Sequence, residues 1–391
     1  MSEIVILGAA RTPMGGLMGA LSTVPAPELG AVAIKAALER AGVASSEVTE
    51  VLMGSVLPAG VGQAPARQAA LKAGLDKSVP CTTLNKVCGS GMKTVMVGVQ
   101  SLLAGAEGVV VAGGMESMSL APHMLTKARS GYRLGHGELL DHMYTDGLVD
   151  AYSGGVMGNF AELTADKYGF TREMQDDYAI ESLRRANAAI NEGVSAAEIA
   201  PVTIASRKGE LVVDVDEQPG NARPDKIPQL RPVFKKDGTV TAANASSISD
   251  GAAALAIASA EYAASKGHTP IAVIKGFTQA AHEPEWFTTA PVPAMQKLLE
   301  RTGWSVEDVD LFEVNEAFAV VAMAAMKELN IPHDKVNVLG GACAVGHPLG
   351  CTGARIIVTL INALKQRGGK RGIASLCIGG GEATAIAIEL V

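Results

Sequence analysis

The sequence contains two related halves. When the chain is aligned with itself at a shift of 261 residues, the segment from Leu38 to Leu52 falls on the segment from Leu299 to Glu313, with matching Leu, Glu, Arg, Gly and Val. At a shift of 262, Gly91 falls on Gly353, and VVVAGGMES then falls on SLCIGGGEA after a four-residue insertion in the loop KQRGGKRG. Agreement that keeps the same order along the chain indicates a duplicated structural unit. A fold built from two similar halves is therefore predicted.

Each half shows the same order of predicted elements. A strand (IVILGA; IAVIKGF) is followed by an amphipathic helix, a second strand (EVLMGSV; LFEVNEA), a long apolar helix and a further strand. Such alternation predicts layered α/β domains. The helices MKTVMVGVQSLLAG and ARIIVTLINALKQ are apolar on more than one face, which is typical of helices at the centre of a fold. We therefore expect their N-termini to point at the functional site.

The stretch between the repeats differs in composition. It contains HMLTKARSGYRLGHGELLDHMY, a charged helix in FTREMQDDYAIESLRRANAAI and the basic, proline-containing RPDKIPQLRPVFKKDG. We therefore expect an N-terminal half of residues 1–119 plus 250–268, a loop domain of residues 120–249 that covers a site, and a C-terminal half of residues 269–391. The basic residues of the loop domain suit either the binding of phosphate groups or a solvated surface: Arg207, Lys208, Arg223, Lys226 and Arg231.

Composition indicates a globular protein. The chain has 391 residues, of which 48% are hydrophobic, enough for two or three domains with an extensive core. A formal net charge of −7 without a basic cluster argues against a nucleic-acid groove or an anionic membrane surface as partner. Apolar runs end well short of the roughly 18 residues that a membrane-spanning helix needs. The start, MSEIVILGAARTP, predicts a buried strand rather than a leader, so we expect the mature chain to begin at Met1.

Cysteine usage indicates a reducing compartment. The chain has five cysteines, an odd number, and no CxxC pair. This pattern favours reduced thiols in the cytoplasm over a disulfide framework or a zinc site. No metal site is predicted, and Cys81, Cys343 and Cys351 are interpreted as core residues.

Cys88, in NKVCGSGM, is a candidate nucleophile. It follows a predicted strand and precedes a glycine-containing turn into a helix. At such a position the helix dipole and free N–H groups would favour the thiolate. The alternative is that Cys88 only fills space, because cysteine is among the most buried residue types.

His347, in GGACAVGHPLGCTGAR, is a candidate general base. The following residue is Pro348, and a residue before proline is disfavoured in a helix, so His347 is predicted on a loop. With a cysteine as partner, an imidazole would serve to accept the thiol proton. A hydrogen-bonded core histidine is the structural alternative.

A second thiol and an amide complete the set of candidates. Cys377 ends a predicted strand and precedes the glycines from Gly379 to Gly381, whose N–H groups could form an oxyanion pocket; alternatively, its side chain is packed in the core. Asn315, in NEAFA, suits a helix cap or a residue that holds a water molecule against a carbonyl oxygen. Its neighbour Glu316 could orient His347 or Asn315.

Taken together, NKVCGSGMK, AGGMESMS, NEAFA, GGACAVGHPLGCTGAR and CIGGGEA resemble the thiolase family, and the similarity runs from MSEIVILGAARTP to the C-terminus. The resemblance implies an α/β fold: a five-layer αβαβα core from two duplicated halves, with an inserted loop domain over the coenzyme A site. It also implies a dimer or a tetramer and a place in fatty acid metabolism. The segment from His123 to Met143 resembles the family's tetramerisation loop, which favours a homotetramer, a dimer of dimers.

The resemblance further implies an acetyl-CoA C-acetyltransferase. Cys88 would take an acetyl group with His347 as base, and Cys377 would then remove the α-proton of a second acetyl-CoA to give acetoacetyl-CoA. His347 and a water on Asn315 would hold the enolate, and the N–H groups of Cys88 and Gly379 would hold the tetrahedral intermediate. Coenzyme A is a substrate, with no permanently bound cofactor. The implied coenzyme A contacts are Leu148, Met157, Lys226, Ser246 and Phe318.

Two departures from the family pattern concern acyl-chain preference. Short-chain biosynthetic members usually have His before the Met-Gly of the loop domain, where this chain has Val156, and Met-Gly where it has Phe287 and Thr288. A degradative 3-ketoacyl-CoA thiolase of broader chain length is therefore an alternative. A decarboxylating ketoacyl synthase would require two histidines instead of a second cysteine. An alternative of another class is a non-catalytic acyl-CoA or lipid-binding protein on the same scaffold.

Overall fold

The computed structural model describes residues 3–206 and 209–391. Met1, Arg207 and Lys208, which the sequence analysis named, lie outside the described residues. In this part of the chain, none of the helices combines the length and apolar character that crossing a membrane requires.

Strands and helices alternate through much of the chain. The strands are β1 (Ile4–Arg11), β2 (Gly15–Gly16), β3 (Val48–Gly54), β4 (Cys81–Leu84), β5 (Val109–Ser117), β6 (His123–Met124), β7 (Leu140–Asp141), β8 (Val202–Ser206), β9 (Gly209–Val213), β10 (Ser249–Ser259), β11 (Ala272–Ala281), β12 (Leu311–Val314), β13 (Arg371–Ile378) and β14 (Glu382–Leu390). The α-helices are α1 (Ala26–Ala41), α2 (Pro65–Lys72), α3 (Ser90–Leu103), α4 (Met157–Tyr168), α5 (Arg172–Asn191), α6 (Glu217–Asn221), α7 (Ala260–Lys266), α8 (Pro291–Thr302), α9 (Ala319–Leu329), α10 (Ala342–Val345) and α11 (Leu349–Arg367).

Read outward from the β11–β1 pair, the strands of the two halves follow the same pattern. The strands follow one another as β12-β13-β14-β11-β1-β10-β5-β3-β4. On each side of the β11–β1 contact, an antiparallel run leads to a parallel pair, β3 with β5 and β12 with β13. Strand pairing joins the two halves where Ile4–Ile6 pair with Ala272–Ile274. This symmetry confirms the duplication that the sequence repeat predicts.

Three hydrophobic cores divide the molecule into five layers. Because side chains alternate along a strand, Val5 and Leu7 of β1 pack with α1 on one face, while Ile4 and Ile6 pack with α3 and α11 on the other. In the C-terminal half, alternate residues of β13 and β14 pack either with α8 and α9 or with the same α3 and α11. The order is helix, sheet, helix, sheet, helix. The expected five-layer αβαβα core is confirmed.

The two central helices touch through glycine. A Cβ atom added to Gly91 of α3 would lie 2.7 Å from the backbone nitrogen of Ala354, and one added to Gly353 of α11 would lie 2.3 Å from that of Met92. Real Cβ atoms do not approach so closely, so only glycine permits this contact. Gly91 and Gly353 are the residues that fall on each other in the sequence repeat. The contact therefore holds the first turns of both helices side by side.

The segment between β5 and β10 contains α4, α5 and two short hairpins. Buried ion pairs join it to β1: Arg11 Nε lies 2.5 Å from Glu198 Oε1, and Arg11 Nη1 lies 2.6 Å from Asp216 Oδ1. Near the β6–β7 hairpin, Leu125, Leu134 and Leu139 are exposed to solvent. The predicted domain boundaries after residues 119, 249 and 268 remain a prediction.

The glycine contact generates a stability prediction. Gly91→Ala inserts a methyl group between two buried backbones, so we expect it to lower the free energy of unfolding by about 1–3 kcal/mol or more. The measurement is the urea unfolding midpoint. Gly220→Ala on α6, where an added Cβ would meet nothing within 4 Å, is the control and should leave the midpoint nearly unchanged. Equal midpoints for the two variants would contradict the prediction.

Candidate active site

Cys88 lies in a tightly bonded turn before α3. The Val87 N–H donates to Asn85 Oδ1 at 2.8 Å, and the Ser90 hydroxyl donates to the Val87 carbonyl at 2.6 Å. Val87 adopts φ +46°, a region that β-branched residues rarely occupy. The hydrogen bonds hold Val87 in this strained conformation. Cys88 follows Val87 and lies two residues before the first residue of α3. Such strain is concentrated at functional sites.

The Cys88 thiol is neutral at physiological pH. Burial raises its pKa to about 11, whereas the backbone N–H groups of Gly379 and of Cys88 itself act to lower it and the charge of Glu116 acts to raise it. The position of Cys88 before a helix leads us to expect a thiolate. That expectation is wrong, because the desolvation of the thiolate outweighs the N–H donors. A thiol of this kind needs a base in order to react.

His347 supplies a neutral imidazole with a fixed tautomer. It lies on the short connection between α10 and α11, as its position before Pro348 predicts, and its backbone N–H donates to Ser247. Ring atom Nδ1 lies 2.6 Å from Thr352 Oγ1, and the Thr352 hydroxyl donates to the Pro348 carbonyl. Thr352 must therefore accept from Nδ1–H, which leaves the lone pair on Nε2. Burial, together with the charge of Arg355, lowers the His347 pKa to about 3.

Asn315 faces the basic nitrogen of His347. Its Nδ2 lies 3.5 Å from His347 Nε2, and both side chains are buried. Helix α9 begins only at Ala319, with Phe318 as its N-cap, so Asn315 does not cap it. Asn315 Oδ1 is buried and has no hydrogen-bond partner among residues 3–206 and 209–391. A buried acceptor of this kind suits a bound water molecule or a ligand donor.

Glu316 has a different role from the one expected. Its carboxylate accepts hydrogen bonds from four neighbours, none of which is His347 or Asn315, at 2.8 to 3.0 Å: the Tyr178 and Ser182 hydroxyls, Asn337 Nδ2 and the Cys343 N–H. These groups belong to α5, to the connection that leads to α10 and to α10 itself. Glu316 therefore fastens that connection to α5.

Cys377 and Gly379 lie beside Cys88. Cys377 is fully buried near the end of β13, and its pKa is raised well above the usual value, first by burial and then by the charge of Cys88. A Cβ atom added to Gly379 would lie 3.5 Å from Met157 Sδ and 3.9 Å from Val87 Cγ1. The end of β13, the turn before α3 and the start of α4 therefore converge on one place.

Two cavities open near these groups. One, of about 360 Å³, is lined by Arg223 and Lys226 at one side and by Ser247 and Cys343 at the other. The other, of about 270 Å³, is lined by Val87, Met157, Gly379 and Gly380, among others. Cys343, which was expected in the core, is thus half-buried on a cavity wall, and Cys81 is also half-buried.

Of the five predicted coenzyme A contacts, two line these cavities and two are sequence neighbours of residues that do. Lys226 lines the larger cavity and Met157 the smaller one, and Leu148 is flanked by two residues that line the smaller cavity. Ser246 precedes Ser247 of the larger cavity, and its N–H donates to Ala317. Phe318 forms a β-bridge with Ala245.

An aromatic cluster lies behind Phe318. Its ring contacts Phe234, with centroids 6.1 Å apart, and Phe287, with centroids 6.5 Å apart. Phe287 is buried and also contacts Phe160. One of the two departures from the family pattern, Phe287, is therefore a packed residue of this cluster.

Two residues of the site, Thr352 and Glu116, were not identified from the sequence. Thr352 binds the histidine, and it could have been found because it lies five residues after His347, on the first turns of α11. Glu116, in AGGMES, is buried, and its carboxylate accepts a hydrogen bond from the N–H of Gly350 on α11 at 2.8 Å. That contact joins residues far apart in sequence. In the described ranges, no three His, Cys, Asp or Glu side chains group to hold a metal ion.

Comparisons with known proteins cover the whole chain. Residues 4–261 match the model of the thiolase N-terminal domain and residues 268–390 that of the thiolase C-terminal domain. Acetyl-CoA acetyltransferase 2 of Arabidopsis thaliana is 54% identical over 100% of this chain and 97% of its own length. Acetyl-CoA acetyltransferase of Cupriavidus necator is 50% identical over 100% of both chains.

Solved structures agree in fold. The acetyl-CoA acetyltransferase of Bacillus anthracis superposes with a TM-score of 0.97 at 43% identity, covering 100% of this chain and 99% of its own. The Acat5 thiolase of Ascaris suum, solved in complex with coenzyme A, gives 0.94 at 43% identity over 100% of both chains.

The neutral Cys88 thiol generates a reactivity prediction. Iodoacetamide reacts with thiolate, and a pKa of about 11 leaves roughly one thiol in ten thousand ionised at pH 7. We expect the rate of Cys88 alkylation, followed by peptide mass spectrometry, to rise with pH without levelling off below pH 9. The urea-unfolded chain is the control, and its rate should be half-maximal near pH 8.5 and level off about one pH unit above that. A plateau below pH 8 in the folded protein would contradict the prediction.

Proposed function

Because the chain belongs to the thiolase family, we propose that it is an acetyl-CoA C-acetyltransferase, which condenses two acetyl-CoA to acetoacetyl-CoA and coenzyme A and also catalyses the reverse thiolysis. The observation that carries this proposal is the convergence of the half-buried Cys88 thiol and the buried Cys377 thiol with the N–H of Gly379. One thiol serves as nucleophile and the other as acid and base. His347 and Asn315 complete the proposed site.

In the first half-reaction, the Cys88 sulfur attacks the acetyl carbonyl carbon and His347 Nε2 takes the thiol proton. The pKa values of about 11 for Cys88 and about 3 for His347 set a preformed thiolate–imidazolium pair on the order of 10 kcal/mol above the neutral pair. The proton therefore moves only as the sulfur–carbon bond forms and negative charge passes to the thioester oxygen. This coupling protects the resting thiol from other electrophiles.

The oxyanion is assigned to the N–H groups of Cys88 and Gly379. Both groups act on the Cys88 sulfur, since each lowers its pKa. Donors that face the Cys88 sulfur also lie within reach of the thioester oxygen, because that oxygen is bonded to the carbon that the sulfur attacks. When the carbon–sulfur bond of the substrate breaks, Cys377 gives its proton to the departing coenzyme A sulfur and becomes a thiolate.

In the second half-reaction, that Cys377 thiolate removes the α-proton of a second acetyl-CoA. The α-proton has a pKa of about 20 against ~8.5 for an ordinary thiol, a difference of roughly 16 kcal/mol. Burial raises the Cys377 pKa well above that of an ordinary thiol, which makes its thiolate a stronger base and narrows the difference. His347 and a water on the unpartnered Asn315 Oδ1 are proposed to hold the enolate oxygen. The enolate carbon then attacks the carbonyl carbon of acetyl-Cys88, the bond from that carbon to the Cys88 sulfur breaks, and His347 returns its proton to the sulfur.

Coenzyme A is proposed to lie along the two cavities as a substrate and not as a resident cofactor. The cations Arg223 and Lys226 at the rim of the larger cavity suit its phosphates. Ser246, Phe318, Leu148 and Met157 are assigned to the pantetheine and acyl groups.

A broader 3-ketoacyl-CoA thiolase is the second candidate. The cavity of about 270 Å³ beside Met157 and Gly379 offers more room than an acetyl group fills, which supports it. The ratio of kcat/KM for acetoacetyl-CoA to that for 3-ketooctanoyl-CoA separates the two. A binding-only protein would turn over neither substrate.

We further propose a homotetramer that acts in the fatty acid metabolism of the cytoplasm. The exposed Leu125, Leu134 and Leu139 near the β6–β7 hairpin support subunit contacts. The five free cysteines suit a reducing compartment.

The cysteine roles generate the main functional prediction. After brief incubation with acetyl-CoA and acid quench, peptide mass spectrometry should find one acetyl group on Cys88, and added coenzyme A should remove it. Cys88→Ala should keep coenzyme A binding and lose turnover by at least 10³-fold. Cys377→Ser should still acetylate Cys88 but lose condensation. If Cys377→Ser instead abolishes acetylation, the two roles are exchanged.

The position of Lys226 generates a binding prediction. Its side chain is about half exposed and lines the larger cavity, so the loss of its ammonium should remove an interaction worth about 1 kcal/mol with a phosphate. We expect Lys226→Ala to raise KM for acetyl-CoA about fivefold and to leave kcat unchanged. Lys266→Ala on α7, outside that cavity, is the control. An unchanged KM in both variants would place the phosphates elsewhere.

A further inference from the structure

Glu116 is a buried carboxylate that the proposed reaction does not use. It lies at the end of β5 and is 1% exposed. One carboxylate oxygen accepts the N–H of Val56 at 2.9 Å and of Gly350 at 2.8 Å, and the other accepts the N–H of Leu57 at 3.1 Å. The bonds therefore join β5, the segment after β3 and the first turn of α11. A negative charge at this helix N-terminus is also favoured by the helix dipole.

The first turn of α11 determines where the imidazole lies. Gly350 is the second residue of α11, and Thr352, two residues later, binds His347 Nδ1 at 2.6 Å. A Cβ added to Gly350 would lie 2.8 Å from Glu116 Oε2, so the carboxylate is packed against this turn. A displacement of the turn would therefore carry Thr352 and His347 with it.

The sequence repeat allows the surroundings of Glu116 to be compared between the two halves. At the shift of 262 that aligns Gly91 with Gly353, Cys88 aligns with Gly350. The Cys88 N–H faces a reactive sulfur, whereas the Gly350 N–H is taken by Glu116. Glu382, the counterpart of Glu116 in the repeat, is 40% exposed and pairs with Lys86 instead. Thus the N–H before one central helix faces the reactive sulfur, whereas the matching N–H of the other helix is bound by an internal carboxylate.

We propose that Glu116 is a positioning residue of the active site, which fixes the first turn of α11 and thereby the place of His347 relative to Cys88. This inference rests on the proposed function. Without the carboxylate, the N–H groups of Val56, Leu57 and Gly350 are left without their acceptor, which favours a shift of the turn. A misplacement of about 1 Å can cost about 10²-fold in rate.

The charge of Glu116 gives the proposal a distinctive signature. Burial raises the pKa of Glu116 to about 7, although its N–H partners act to lower it. The ionisable groups that its charge affects are Cys88, in the turn before α3, and Cys351, on α11, and it raises the pKa of both thiols. As the pH falls through about 7, protonation weakens the carboxylate as an acceptor and activity should decline.

The test is Glu116→Gln in the full-length enzyme, with Asp250→Asn as control. Asp250 is a buried carboxylate on the adjacent β10, and it binds the N–H and hydroxyl of Ser119 rather than α11. For Glu116→Gln we expect kcat to fall 10–100-fold, KM for acetyl-CoA to change less than twofold, and the decline of kcat near pH 7 to disappear. Removal of the negative charge should also increase Cys88 alkylation by iodoacetamide at pH 8 severalfold. Asp250→Asn should change none of these more than twofold.

Glu116→Asp keeps the charge on a shorter side chain, so its kcat should fall while the decline near pH 7 remains. This variant also serves if Glu116→Gln does not fold. Wild-type kcat and pH profile in Glu116→Gln, or lower kcat with the decline near pH 7 retained, would overturn the proposal. Absence of acetyl-Cys88 in the wild-type enzyme would instead overturn the proposed function.

Discussion

The contact of α3 with α11 through Gly91 and Gly353 is the constraint on which the rest of the molecule depends. Two sheets can share a single central layer only if the helices in that layer lie close together, and a methyl group at either glycine would prevent it. The same contact sets the two helix N-termini side by side. Cys88 is carried by one of them and His347 by the other, so the site exists because two similar halves meet there.

Burial controls the electrostatics of the site more than any individual charge does. The position of Cys88 before a helix predicts a thiolate, but desolvation raises the Cys88 pKa and lowers that of His347. The resting groups are thus neutral, and charge arises only in the presence of a substrate. Burial also suits the second step, because a thiol of raised pKa yields a more basic thiolate. The same burial therefore favours both proposed half-reactions.

Much of this could be read from the sequence, because duplication and glycine-rich motifs are local signals. The repeat predicted the order of elements in both halves, and the motifs named Cys88, His347, Cys377 and Asn315. Contacts made through space were missed or misjudged. Glu316 was expected to orient His347 or Asn315, but the donors that bind it come from α5 and α10. Glu116 binds Gly350 across more than half of the chain, a pairing that no local pattern encodes.

Phe287 and the N-cap residue Val156 lie outside the central layer, on segments that carry none of the four reacting side chains. The reacting side chains and these two departures from the family pattern therefore lie in different parts of the chain. The contact between α3 and α11 has no room for a larger side chain, whereas Phe287 and Val156 are not part of that contact. The groups beside the site can therefore be exchanged in an engineered protein while the framework that holds the reacting residues stays unchanged.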